Sequence, residues 1–171
     1  MPRTTPTFKT PSAQETTMRK RSKYRPRGVI PDPLAYVING FKPMRHQSQS
    51  TTLRIKNHAA MMDITQGRGT RQQIDVLIAA MNMAEALYRV NSELGAQYKD
   101  EIRQAQDAIL SMSRRGIDKG SFAFTGQELQ AMNIGMEVHD AQLDTCTLGE
   151  LEKALQLVQQ EIRNKKVRVI A

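Results

Sequence analysis

Along most of the chain, apolar residues recur at intervals of three and four, the spacing that gathers them on one face of a helix. The broadest such stripe is Ile74, Leu77, Met81, Ala84 and Tyr88, widened by Ile78, Ala80 and Leu87 and running to about Val90. Thr70 and Gln73 form a capping box in front of it, the threonine serving the backbone N–H of Gln73 and the glutamine that of Thr70. Immediately upstream, Gln66-Gly67-Arg68-Gly69 breaks the pattern. Beyond Gly95, the residues Tyr98, Ile102, Ala105, Ile109 and Met112 make a narrow stripe on an otherwise polar helix. This helix is expected to end at Arg114-Arg115-Gly116, where cations meet the negative end of the helix dipole. Ser121-Phe122-Ala123-Phe124 reads as a short connector whose two rings plug one end of the core. Thr125 with Glu128 and Thr147 with Glu150 are two further capping boxes. The first opens a helix with Leu129, Met132, Met136, His139 and Leu143 in register, the second one with Leu148, Leu151, Leu155, Val158 and Ile162. Only a few residues around Thr145 and Cys146 join these two, which predicts antiparallel neighbours.

Closer to the start the pattern weakens. Between Thr52 and Thr65 the apolar positions Leu53, Ile55, Ala59, Ala60, Met62 and Ile64 fit neither period: Leu53-Arg54-Ile55 alternates as a strand would, and the rest is helical over about 56–65. Arg45-His46-Gln47-Ser48-Gln49-Ser50 reads as a polar connector. Asp32 as N-cap, Pro33 in the first turn, Leu34, Val37 and Ile38 on one face and Gly40 behind them predict a short helix over about 33–39. Residues 1–31 carry too few apolar groups to offset the entropy of ordering and are expected to be a disordered arm. Lys165 to Ala171 alternates cations with β-branched residues, as a frayed tail does, or a strand added to another edge. The chain is thus expected to comprise a basic arm (1–31), a helical domain (32–164) and a basic tail (165–171). The fold class is all-α, a bundle of about four main helices with a short leading helix, and its narrow stripes suit self-association as a homo-oligomer.

Composition narrows this picture. The chain has 171 residues, a length suited to one domain, and its 39% apolar content without Trp calls for a core of Leu, Ile, Val, Met and Ala. Met61, Met62, Met81, Met83, Met132 and Met136 fall inside predicted helices, where they serve either as adaptable core packing or as a groove for a partner helix. No run of 18 apolar residues exists and the first residues are polar, so the expectation is a soluble, cytoplasmic protein without a membrane partner. Cys146 is the single cysteine, which excludes an internal disulfide and a zinc site built from several thiolates of one chain. The formal charge is +8, and it is unevenly spread. Residues 1–27 hold eight basic groups and one acid, a net of +7, while the other 144 residues hold 17 basic and 16 acidic groups, a net of +1. An electrostatic partner is therefore met mainly by the arm.

Candidate chemistry is sparse. His139, Asp140, Asp144 and Cys146 crowd one helix end, yet only the two aspartates are one turn apart, and His139 falls in the apolar register, as a core histidine does. No spacing supplies further ligands, so no metal, cofactor or catalytic residue is predicted. His58 sits in a polar stretch with no nucleophile placed near it by any motif. Gln66-Gly67-Arg68-Gly69-Thr70-Arg71 leads into a helix N-terminus, where backbone N–H groups with Arg68 and Arg71 can meet a phosphate. It lacks the Walker spacing and lysine, and a helix-breaking linker also accounts for its glycines. The densest signal is the block Arg19, Lys20, Arg21, Lys23, Tyr24, Arg25 and Arg27. Such an arm neutralises phosphates with little sequence readout, and Tyr24 is suited to stack on an unpaired base. A solvating tail, or one that meets an acidic protein, explains the same charges.

Several runs together carry a resemblance: Lys23-Tyr24-Arg25-Pro26-Arg27, Pro33-Leu34-Ala35-Tyr36-Val37, Leu53-Arg54-Ile55-Lys56-Asn57-His58, Gln66-Gly67-Arg68, and Glu137-Val138-His139-Asp140-Ala141-Gln142-Leu143. In these the chain resembles small helical proteins encoded by proteobacterial phages and prophages, a group with no assigned activity. The resemblance spans most of the chain after about residue 19 and implies a protein acting in the cytoplasm of a bacterial host; it brings no site residue with it. The expectation is a non-enzymatic accessory or regulatory protein that grips nucleic acid with its arm, at Arg19, Lys20, Arg21, Lys23, Tyr24, Arg25 and Arg27 with Arg68 and Arg71, and self-associates through its body. The alternative is an effector that binds and redirects a host protein in replication, transcription or antiviral defence.

Overall fold

The computed structural model describes residues 48–164. They form five α-helices in chain order: α1 (Ser48–Thr65), α2 (Arg71–Val90), α3 (Lys99–Lys119), α4 (Gly126–Thr145) and α5 (Leu148–Arg163), with a single 3₁₀ turn, Ala96–Tyr98, ahead of α3. The all-α class is as the periodicity requires. No strand occurs among the described residues; an isolated antiparallel bridge joins Gly69 to Phe122. The arm, the short helix over 33–39 and the tail over 165–171 lie outside the described residues. No described helix is long and apolar enough to cross a membrane.

Helix α2 is the hub, packing against α1, α3, α4 and α5, while α3 and α4 pair along most of their length. The main core is built where Ile64, Leu77, Met81, Ile109, Met112, Met132 and Met136 meet, all fully buried or nearly so. Close approach of α3 and α4 depends on Gly135, where a Cβ would stand 2.6 Å from the Ala105 methyl and 2.9 Å from the Met81 sulfur. A second cluster, Ala86, Leu87, Leu94, Leu143, Cys146 and Ala154, ties α5 to the C-terminal half of α2. All three predicted capping boxes are present, at Thr70/Gln73, Thr125/Glu128 and Thr147/Glu150. Met61, Met81, Met132 and Met136 are buried as core packing, Met83 is half-buried and Met62 is exposed.

Four sequence expectations are corrected. Helix α1 begins at Ser48, taking in the residues read as a polar connector and the Leu53-Arg54-Ile55 stretch read as alternating. Its inner face is polar at the start, with Ser50 and Asn57 buried, whereas Leu53 and Ile55 are exposed, so apolar periodicity gave no helical signal there. Helix α3 runs past Gly116 to Lys119 and ends at Gly120, in the left-handed conformation at φ +69°. Gly116 is instead the notch for Phe122: a Cβ there would lie 1.9 Å from the ring. Tyr98 belongs to the 3₁₀ turn and is exposed, outside the α3 stripe. Finally, α5 takes α2 as its principal neighbour rather than α4. Of its predicted stripe, Leu155 and Ile162 are 46% and 54% exposed, and only Ala154 is fully buried in that helix.

Candidate functional site

The predicted arm residues Arg19, Lys20, Arg21, Lys23, Tyr24, Arg25 and Arg27 lie outside the described residues. Arg68 and Arg71 are in view. The glycine-rich turn before α2 closes α1 as a Schellman motif: Arg68 N–H donates to Asp63 C=O at 2.8 Å and Gly67 N–H to Ile64 C=O at 3.0 Å. Gly67, at φ +75°, provides the left-handed residue this motif needs. The Arg68 guanidinium returns to the Asp63 carboxylate at 2.9 Å, so its charge is already paired. Arg71, the first residue of α2, is exposed and makes no ion pair among the described residues. It stands at the edge of a concavity between helices.

That concavity is a groove of about 620 Å³ between α2 and α3, with the C-terminal part of α5 at one side. Ile78, Met81, Ile102, Ile109, Leu110 and Val158 give it apolar lining. Its rim mixes signs. Glu85 and Glu161 hold Arg89, the latter at 2.6 Å, and Gln106 donates to Glu85 at 2.8 Å. The Glu161 hydrogen bond holds the Arg89 charge more firmly than usual. Burial, followed by the nearby Glu85 charge, raises the Tyr88 phenol above its ordinary range, so this ring stays neutral and able to donate. Arg71, Lys99 and Arg103 carry no ion pair among the described residues. An apolar floor with balanced rim charges suits an amphipathic helix better than a small anion.

A second constellation joins α1 to α4. His58 Nε2 lies 2.7 Å from Asp140 Oδ2, and Arg54 reaches Asp144 Oδ1 at 2.5 Å and donates to the Asp140 carbonyl at 2.8 Å. Beneath them His139 is 2% exposed with Nδ1 unpartnered. Burial, the dominant influence, pushes its pKa down to about 4, so the ring is a neutral core residue. Cys146 is fully buried, and burial raises its thiol to about 11, well away from nucleophilic use. Among the described residues no group of three or more His, Cys, Asp or Glu side chains is arranged to hold a metal ion. The described helices therefore offer two surfaces, a groove and an ion-paired seam.

The chain matches no protein-family model, no curated protein and no solved structure. Its charge distribution is then the most informative remaining property. Residues 48–164 hold 12 basic and 15 acidic groups, a net of −3; the flanking residues hold 13 basic and 2 acidic groups, a net of +11. Sequence reasoning identified the basic block but missed Arg54, because no local pattern marks a residue whose partner is 80 or more positions away, as Asp140 is from Arg54; it missed Tyr88 and Arg103 as groove residues because the groove forms only where separate helices meet.

Proposed function

We propose that this is a non-enzymatic, phage-type accessory or regulatory protein that binds nucleic acid through its basic N-terminal arm and self-associates through its helical body. The single observation that supports it best is the segregation of charge: +11 outside residues 48–164 against −3 within them. A polyanion is attracted to the arm and repelled by the body, so binding is backbone-directed, salt-sensitive and low in sequence preference. The resemblance to phage-encoded proteins supports a bacterial cytoplasm as the setting of this reading. The test is fluorescence-anisotropy titration of the full chain and of a 28–171 truncation against labelled single- and double-stranded DNA and RNA, at low and physiological salt. Tight binding that weakens steeply with salt and disappears with the arm supports the reading; no binding at physiological salt overturns it. One observation favours the alternative, a protein-binding effector: the apolar-floored groove between α2 and α3, whose rim carries both signs. Under that alternative, partner capture survives loss of residues 1–27.

A further inference from the structure

The connector between α2 and α3, residues 91–98, closes one end of the groove: Tyr88 and Arg89 before it and Lys99 and Asp100 behind it all line that cavity. Its inner side rests on α4. A Cβ at Gly95, which is left-handed at φ +97°, would stand 3.4 Å from Gln142 Nε2 and 3.7 Å from Val138 Cγ1. Gln142, 3% exposed, donates through that nitrogen to the Leu94 carbonyl at 2.7 Å and to the Ala84 carbonyl of α2 at 3.0 Å. These two acceptors fix the orientation of the amide, because only its NH2 group can serve them, and Oε1 is left to face elsewhere. One turn earlier on the same helix stands His139, 2% exposed. Among the described residues, His139 Nδ1 and Gln142 Oε1 are both buried without a hydrogen-bond partner. Such atoms are costly to leave unpaired, and here two complementary ones lie at i and i+3 of one helix.

We infer that His139 and Gln142 form a proton-sensitive clamp that holds the α2–α3 connector against α4. In the clamp the neutral ring carries its proton on Nδ1 and donates it to Gln142 Oε1, so one contact satisfies both atoms. Gln142 makes the ring hold a proton more firmly, the sign given by an oxygen that accepts from a ring N–H rather than by an amide that donates to the ring. The contacts then run from His139 through Gln142 to Leu94 and Ala84. A charged ring has no place at this depth. Burial outweighs the charges that act on it, Asp140 on its own helix favouring the proton and Arg54 and His58 on α1 opposing it. To take up a second proton the ring must reach water, which orphans Gln142 Oε1 and frees the amide to turn away from Leu94. The connector then loosens, and with it the spacing of α2 and α3 at that end of the groove. Another part of the connector is held separately, by Asn91 Nδ2 donating to Glu150 at 2.8 Å, so the release is local. The clamp belongs to the helical body and is independent of the arm.

The test is nuclear magnetic resonance of the full chain with isotopically labelled nitrogen. Long-range proton–nitrogen correlations of the His139 ring, assigned by their loss in His139→Gln, are expected to show the Nδ1–H tautomer at neutral pH. The Nε2–H tautomer would overturn the inference. Amide exchange from Leu94 through Tyr98 reads the hold on the connector. His139→Leu, which has no donor, and Gln142→Met, which has no amide, should each lower protection there on the order of tenfold relative to the buried stretches of α2 and α4. His139→Gln retains a donor and should keep more of that protection than His139→Leu. Lowering the pH from about 6.5 to about 4.5 should reduce connector protection in the wild-type chain, after correction for intrinsic exchange, and leave it unchanged in His139→Gln. Protection unaltered by His139→Leu and Gln142→Met, equal in His139→Leu and His139→Gln, or independent of pH in the wild type would each overturn the clamp. The tautomer and the wild-type pH series decide the matter even where a core variant fails to fold.

Discussion

Gly116 and His139 show how single residues are governed by what lies above them rather than beside them in the chain. The ring of Phe122 occupies the space a Cβ at position 116 would take. Gly116→Ala should therefore destabilise the protein by about 1–3 kcal/mol in urea titration, despite alanine's better helix propensity. Adding Phe122→Leu should recover part of the loss; a stabilised single variant would refute the packing assignment. For His139 the folded pKa of about 4 lies below the ordinary 6.5. Between those values the unfolded chain takes up a proton that the native ring refuses, so stability is complete above about pH 6.5 and declines as pH falls toward 4. The decline should be on the order of 3 kcal/mol. His139→Gln should flatten that slope, and an equally flat wild-type profile between pH 6.5 and 4.5 would contradict it. Glu128 and Glu150 titrate lower. The Arg115 hydrogen bond outweighs burial at Glu128; at Glu150 burial pushes the carboxyl upward, but hydrogen bonds from Thr147 and Asn91 prevail. Their contribution is present above the ordinary carboxylate range and is lost as pH falls through their depressed pKa values, a separate and more acidic window.

At the scale of elements, helix starts are set locally and helix partners are not. Thr125 Oγ1 accepts from Glu128 N–H, and Glu128 Oε2 accepts from Thr125 N–H at 2.8 Å, so two orphan donors are satisfied within four residues. The same glutamate takes both Arg115 NH groups at 2.6 Å, fastening the start of α4 to α3. Thr125→Ala should cost about 1 kcal/mol in thermal or chemical unfolding. Glu128→Ala should cost more than Thr125→Ala, because it removes its half of the capping box and the ionic clasp together; equal losses would show that the clasp contributes nothing. Helix α1 relies on the Arg54 and His58 contacts to α4, together with Ala60, Met61 and Ile64 in the core. Arg54→Ala should accordingly raise hydrogen exchange in the first half of α1 while leaving its second half protected. Uniform exchange along α1 would argue against this division.

The whole molecule is an acidic helical body carrying basic flanks, and its behaviour toward polyanions should follow that partition rather than any one residue. If the six cations between Arg19 and Arg27 each neutralise one duplex phosphate, their replacement by Gln should flatten the slope of log K against log salt by roughly five units. A variant with an unchanged slope would move the contact elsewhere on the surface. The proposed nucleic-acid binding and self-association are separable by test, since the excess positive charge lies outside residues 48–164 and the exposed Leu155 and Ile162 of α5 within them.

What the sequence by itself determined was whatever closes within one or two turns. The all-α class, the three capping boxes, the α2 stripe, the burial of His139 and the Phe122/Phe124 contact with the core follow from spacing and local hydrogen bonding, which act between residues near in the chain. The tertiary structure alone decided the rest. It made α1 continuous through Leu53-Arg54-Ile55 because Arg54 finds Asp140 and Asp144, turned Gly116 from a terminator into a packing notch, and laid α5 on α2 instead of α4. The groove too arises only where α2, α3 and α5 converge. Those outcomes depend on steric fit and charge pairing between distant segments, and a linear pattern carries the capacity for such contacts without specifying the partner.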